Sequence, residues 1–451
     1  MQNKRLRGFG VWFMFGIFAG LLSAQWEPDQ RLTFNPATSL TSRNSQHPIV
    51  SEGKIVHICF WDDRISENEI FYLRSNDGGA TWSEEVMLTS DTGKSWFPSI
   101  AVANGVVHLV WVDTRNGPNG EIYYLRSTDN GINWSSEMRM SFDTARSEYP
   151  CIGAGGSDVH LVWRDNRDSR FSYEIYYRRS TDCGVTWSSE TRLTTASGIK
   201  WDPSIAVAGQ FVHLVWGDNR DGEWNVYYKR STDRGETWGS DVRLTDNVFA
   251  QQWPCVAVDD SIVVVAWQDN EDVDGELWCR FSFDRGETWE EPVRVSSGFA
   301  QPGLWSPSIC LSKPNIHIAY PDGRDGNFEI YYARSTDLGQ TWEEVRLTED
   351  DAVSNYPSVW SAGDMVHIVW TDFRDGPNGE IYYKRNPTGN SGIKGSKGHH
   401  FDYQRKRASF NLGSVKRVFD INGRLVTGQK TKDGVYFVNG EAGWEKMIQV
   451  R

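Results

Sequence analysis

The feature that most constrains this chain is an eight-residue phrase that returns six times in phase. It reads "SNDGGATW" at 75–82, "STDNGINW" at 127–134, "STDCGVTW" at 180–187, "STDRGETW" at 231–238, "SFDRGETW" at 282–289 and "STDLGQTW" at 335–342, so successive copies start 51 to 53 residues apart. Each copy follows a run like "VHLVW…EIYYLRS" and precedes one like "VRLT" and then "PSIAV". Four short runs rich in Val, Ile, Tyr and Trp in every period, with no helical periodicity, describe the four-stranded sheet of a propeller blade.

A landmark residue near the end of the second run gives the number of blades. It falls at Trp61, Trp111, Trp163, Trp216, Trp267, Tyr320 and Trp370, one more than the phrases. The seventh unit runs from 356 to Asn386 and stops without a phrase or a fourth strand. The missing piece stands at the other end of the chain, where "WEPDQRLT" (26–33) matches "WEEVRLT" (342–348). The expected fold is therefore all-β, a seven-bladed propeller over 25–386 closed by an N-terminal strand, which leaves no open sheet edge. Residues 26–386 divided by seven give about 52 per blade, the observed period.

Within each phrase the third residue is Asp (Asp77, Asp129, Asp182, Asp233, Asp284, Asp337) and the fifth is Gly. Asp accepts backbone N–H groups in a tight reversal, and Gly supplies the positive φ such a reversal needs. The pattern S-x-D-x-G-x-[TN]-W resembles the Asp-box, or BNR, repeat of sialidase-like propellers. That resemblance implies that the boxes join third to fourth strands on the side away from the ligand, as turn staples without chemistry. It also implies, for a true sialidase, three arginines on the substrate carboxylate, a Tyr nucleophile paired with Glu, and an Asp acid. No Arg-Ile-Pro segment occurs near the first blade, and seven blades depart from the six of those enzymes, so the resemblance assigns no catalytic role to any residue and the catalytic residues stay unknown.

Ligand residues are expected at the opposite end, in the connections between second and third strands and between blades. The first set repeats Asp and Arg, giving Arg115, Arg167, Arg220, Arg324 and Arg374, with Glu69, Glu121, Glu174, Glu276, Glu329 and Glu380 opening third strands. Such groups either lock the loops by ion pairs or grip an anionic or polyhydroxylated ligand. The second set places Trp96, Tyr149, Trp201, Trp253, Trp305 and Tyr356, with His47 in the first blade, before the innermost strands. Aromatic faces beside polar groups suit sugar rings, although the same residues also serve inter-blade packing. Departures from the repeat are informative because the fold does not require them: Glu271 in the acidic loop 269–276, Tyr320 and Pro321, the insertion at Arg170 and Phe171, and Trp224. The acidic loop does not fit an EF-hand, and no metal or cofactor is expected.

The ends of the chain address export. "MQNKRLRGFGVWFMFGIFAGLLSA" has a basic flank, a short apolar run and small residues before Gln25, which marks 1–24 as a signal peptide, with no later segment apolar enough to span a membrane. Losing Lys4, Arg5 and Arg7 takes the formal charge from −13 to −16, which argues against nucleic acid as a partner. Six cysteines without CxxC or metal-type spacing are expected mostly as buried thiols, Cys183 being the exposed one. Residues 387–412, rich in Gly, Ser and basic residues, read as a linker. The stretch 413–451, with "FDINGRLV", "DGVYFV" and "EKMIQV", resembles the C-terminal sorting domain of the type IX (Por) secretion route, a small β-sandwich-like unit whose partner is the secretion machinery. The expectation is a monomeric, secreted or surface-attached propeller that binds glycan or another extracellular polymer. The alternatives are a glycoside hydrolase of exo-sialidase type or a polysaccharide lyase, and then a non-catalytic scaffold.

Overall fold

The computed structural model describes residues 26–42, 47–65, 67–169, 172–246, 250–269, 275–296 and 306–388, together with the backbone of three strands near the C-terminus. The chain divides into two units, 1–399 and 400–451. In the first unit seven antiparallel sheets follow one another: blade one spans Ser39–Met87, blade two Ser95–Arg139, blade three Ser147–Arg192, blade four Lys200–Arg243, blade five Gln251–Arg294 and blade six Ser308–Arg346. Blade seven joins Ser354–Ala362, Met365–Asp372 and Glu380–Asn386 to the N-terminal pair Gln30–Arg31. No helix occurs among the described residues. In the second unit Arg417–Asp420, Gly434–Gly440 and Gly443–Gln449 form a three-stranded antiparallel sheet.

Closure uses residues from both ends of the propeller. Gln30 pairs with Tyr383 and Arg31 with Tyr382, and the Glu27 N–H donates to the Arg385 carbonyl at 3.0 Å. Asp29 accepts Arg374 at 2.9 Å and Lys384 at 2.8 Å, while Arg31 reaches Glu380 at 2.7 Å. Trp26 stands edge-on to Tyr332 with ring centroids 4.9 Å apart. It thereby supplies the aromatic contact that the box tryptophans supply in other blades.

Each sheet is covered on both faces by its neighbours, which explains why the second strands are almost continuously apolar rather than alternating. Trp111, Trp163, Trp216 and Trp370 are fully buried, as is Phe60. Phe60 is the true landmark of blade one, because it opposes Phe71 as Trp111 opposes Tyr123. Trp61, which the repeat singles out, sits one residue further along and on the other face of the strand. Adjacent blades are joined by a recurring contact that the periodicity does not reveal. A second-strand His bonds through Nδ1 to a third-strand Tyr hydroxyl (His57 with Tyr72, His108 with Tyr124, His160 with Tyr177, His213 with Tyr228, His317 with Tyr332, His367 with Tyr383) at 2.6–2.8 Å. Tyr72, Tyr124, Tyr177, Tyr228 and Tyr383 lie against the box glycine of the following blade, while Tyr332 meets Trp26 instead: a Cβ on Gly131, where φ is +81°, would stand 1.9 Å from the Tyr72 hydroxyl. In blade five Val264 and Cys279 occupy the His and Tyr places, and the ring of Phe281, two residues further along, lies against the box glycine Gly339.

Candidate functional site

The six box carboxylates are spent within their own turns. In the fourth copy Asp233 accepts the Thr237 N–H at 2.9 Å, the Thr237 hydroxyl at 2.6 Å and the Ser231 hydroxyl at 2.7 Å, while the Gly235 N–H donates to the Ser231 oxygen at 2.9 Å. The Thr237 hydroxyl and amide hold the Asp233 carboxyl down to about 2. Asp77, Asp129, Asp182, Asp284 and Asp337 make the same set. In an antiparallel meander these third-to-fourth connections lie at the opposite end from the second-to-third ones.

At that other end the arginines of the repeated loops are also committed. Arg167 donates to Asp165 at 2.7 Å and Asp143 at 2.9 Å, pairs with Glu190, and stacks 4.1 Å from the Tyr176 ring. Arg115 pairs with Asp113, Glu137 and Asp91 over Tyr123, and Arg220 with Asp218 and Asp241 over Tyr227. Arg324 pairs with Asp322 and Glu344 over Tyr331, and Arg374 with Asp372 and Asp29 over Tyr382. Asp113, Asp165, Asp218, Asp322 and Asp372 are fully buried, and Asp113, Asp165 and Asp372 tie the first and second strands to the loop, as where the Trp163 N–H and Ser147 hydroxyl both donate to Asp165. Arg64 does the same in blade one. The third-strand glutamates anchor the fourth strand: Glu121 accepts Arg139 at 2.6 Å and the Ser141 hydroxyl at 2.5 Å, and Glu69, Glu174, Glu329 and Glu380 accept the equivalent Thr hydroxyl. Burial pushes the Glu69 carboxyl up to about 7.

The aromatic residues before the innermost strands occupy two structural positions rather than one. In blades two, three, four, five and seven a bulge sets two inner-strand residues against one on the second strand. The first bulged residue precedes a proline and has positive φ: Phe97 (55°), Tyr149 (51°), Asp202 (48°), Trp253 (53°) and Tyr356 (53°). Non-glycine residues rarely adopt this conformation, and a following proline ordinarily favours extended backbone. Trp96 and Trp201 stand one residue earlier, in the place that Leu40, Glu148, Gln252 and Asn355 take elsewhere. In blade one the inner strand is split at this point, between Leu40 and His47. Trp305 and the loop insertion at 170–171 lie outside the described residues, as does Glu271 with most of the acidic loop.

The bulges bring four of the predicted aromatics together on adjacent blades. Trp96 meets Phe97 (6.2 Å between centroids), Phe97 meets Tyr149 (4.8 Å), Tyr149 meets Trp201 (6.2 Å), and Trp201 meets Trp224 edge-on (6.0 Å). Trp253 shares a notch with Trp201 and Trp224. Tyr356 is buried on blade seven, apart from this arc.

Behind the arc lies Arg164, which sequence reasoning missed. Its guanidinium sits 3.8 Å from the Trp201 ring, 4.2 Å from Tyr149 and 4.3 Å from Tyr173, and donates to Glu148 at 2.6 Å. Its Nε and one terminal nitrogen have no hydrogen-bond partner. A cation so enclosed holds three rings by their faces. The available signal was "HLVWRD", since this place holds Val112, Gly217, Gln268, Pro321 and Thr371 in other blades.

The central channel, by contrast, is lined by Val, Ile and Ala from the inner strands together with His47 and Trp360. Among the described residues no group of three or more His, Cys, Asp or Glu could hold a metal, and no helix is long and apolar enough to cross a membrane. All six cysteines are free thiols; Cys183 is half-exposed and the rest are buried.

A family profile described as a BNR repeat-like domain matches residues 169–368. A sialidase of Clostridium perfringens is 26% identical over 301 residues, covering 55% of this chain and 77% of that protein. One of Paraclostridium sordellii is 25% identical over 317 residues, covering 63% and 67%. Among solved structures, Trypanosoma rangeli sialidase superposes with a TM-score of 0.50 at 14% identity over 80% of this chain, which spans only 58% of that enzyme. An ulvan lyase, described as a polysaccharide lyase, superposes at 0.54 and 13% identity, covering 78% of this chain and 95% of the lyase. At such identities the structural likeness speaks for the fold alone. Residues 169–368 thus match a BNR repeat-like domain within a seven-bladed propeller that is similar in sequence to two clostridial sialidases and in fold to a sialidase and a polysaccharide lyase.

Proposed function

We propose that this propeller binds glycan, or another extracellular polymer, at the end of the blades where the aromatic arc lies. The observation that carries this reading is the contiguous run of rings from Trp96 to Trp224, with Trp253 beside it, on one end of blades two to five. Flat apolar faces next to carboxylate and amide groups match the C–H faces and hydroxyls of sugars. The repeated arginines contribute by holding loops, because their N–H groups are already paired with carboxylates.

A second reading, hydrolysis of a glycosidic bond, is favoured by the sialidases among the relatives. If the chain is an enzyme, its class is glycoside hydrolase of sialidase type. Export through residues 1–24 and sorting through 413–451 complete the proposal and place the protein outside the cell or on its surface. A glycan array followed by assay for released sugar separates the readings. Binding without turnover supports the first, release of free sugar establishes the second, and neither binding nor release overturns both. Surface delivery that survives deletion of residues 415–451 in the native host would remove the sorting role.

A further inference from the structure

We infer that Phe97, Tyr149 and Trp201 are successive subsites of one platform, held from beneath by Arg164, and that its ligand is a stretch of linear glycan at least three pyranose residues long. This rests on the glycan-binding reading and names the substrate class, a chain rather than a single terminal sugar.

The three rings come from three successive blades. Phe97 and Tyr149 have centroids 4.8 Å apart and planes inclined by 36°, and Tyr149 and Trp201 have centroids 6.2 Å apart and planes inclined by 32°. Each step is close to the length of one pyranose residue, so a chain laid along the row meets a new ring at each sugar. Beyond Trp201 the row passes to Trp224, edge-on at 6.0 Å. All of these rings are half-buried. The Arg164 guanidinium lies 4.2 Å from the Tyr149 centroid and 3.8 Å from the Trp201 centroid, and so sits under the seam between the two rings. Arg164 itself is buried, so the accessible part of Tyr149 and of Trp201 is the part turned away from it. A single sugar covers one ring and leaves the others in water, so the gain from a row of rings goes to a chain.

Blade three departs from the repeat to build this support. Where Arg164 stands, the other blades carry Trp61, Val112, Gly217, Gln268, Pro321 and Thr371. The propeller therefore needs no cation at this place, and burying one costs desolvation. What the cation gains is the faces of Tyr149, Tyr173 and Trp201, an attraction that strengthens out of water. Its ion pair with Glu148, at 2.6 Å, acts on the same rings, because Glu148 precedes Tyr149 in the bulge of blade three. Arg164 is thus a positioning residue: it sets the angle between two rings that touch sugar and touches none itself.

The test titrates the full chain with cello-, xylo-, manno- and chito-oligosaccharides and with oligosialic acid, each from one to six residues long, read by calorimetry and indole fluorescence. In at least one series affinity should rise about fivefold to tenfold with each residue from the first to the third. Trp201→Gln installs the residue type that Gln252 supplies at the same place in blade five, and should remove about one such step with the melting temperature unchanged. Tyr149→Asn, which tolerates the left-handed backbone, should do the same. Arg164→Lys keeps the charge and loses the planar face; it should weaken the trisaccharide at least about fivefold and leave the monosaccharide within about twofold. It should also change the near-ultraviolet circular dichroism of the folded protein, which a mere loss of stability would not. A monosaccharide that binds as tightly as its own hexamer in every series that binds would overturn the inference. So would full trisaccharide affinity in folded Trp201→Gln or folded Arg164→Lys protein. If a glycan array detects only single-sugar or branched epitopes, glycan binding stands and the platform is wrong; if no glycan binds the parent, both fall.

Discussion

Acidification should destabilise the propeller through its buried histidines, and the size of the effect follows from their number. Burial holds His57, His108, His213, His317 and His367 down to about 3, and His160 and His47 to about 4, against 6.5 for a free imidazole. The folded value lies below the unfolded one, so once the pH drops below about 6.5 the unfolded chain binds protons that the folded chain refuses. Stability is therefore lost as pH falls from about 6.5 towards 4. Each such group contributes about 1.4 kcal/mol per pH unit in that window. Five carboxylates work against this: burial raises Glu69, Glu121, Glu174, Glu380 and Asp91, so their contribution grows as pH falls. Even if all five stay protonated in the fold, about two net protons remain. That gives a loss of about 3 kcal/mol per pH unit between pH 6 and 5. Urea unfolding of the full chain at pH 7.5, 6.5, 6.0, 5.5 and 5.0, followed by tryptophan fluorescence, measures it. A midpoint that stays flat or rises between pH 6.5 and 5.0 would refute the account of the His–Tyr contacts as neutral, desolvated joints.

Two further perturbations separate structural from recognition residues. Gly131→Ala places a Cβ against the Tyr72 hydroxyl at a residue with φ of +81°, and should cost about 2–4 kcal/mol in urea titration; a cost below 0.5 kcal/mol would show that the box glycine is not a packing requirement. Arg115→Gln leaves Asp113 buried with fewer donors and should cost about 3 kcal/mol while leaving glycan affinity within twofold; a tenfold loss of affinity in a protein of unchanged stability would return that arginine to the ligand site.

Much of the architecture was legible because each blade solves the same problem with the same residues. The phase of the boxes set the period, and the stray "WEPDQRLT" at the front revealed the closure that Gln30 and Arg31 make with Tyr383 and Tyr382. Register was less legible where two aromatic residues adjoin. "FW" at 60–61 offers two landmarks, and only the pairing of Phe60 with Phe71 decides between them. The bulges hid a similar ambiguity at the candidate site, since a residue inserted before each proline lets Trp96 and Tyr149 look equivalent when they are not. Arg164 was illegible for a different reason. Its environment is assembled from Glu148, Tyr149, Tyr173 and Trp201, which come together only when blade three packs against blade four.

The most direct test of the functional account is a crystal structure of the full chain with the oligosaccharide that binds best on an array. The account predicts sugar rings stacked on the indoles of blades four and five, with the six box carboxylates and the loop arginines untouched. Sugar bound at the box end, or against Arg115, Arg324 or Arg374, with the notch beside Trp224 empty, would contradict it.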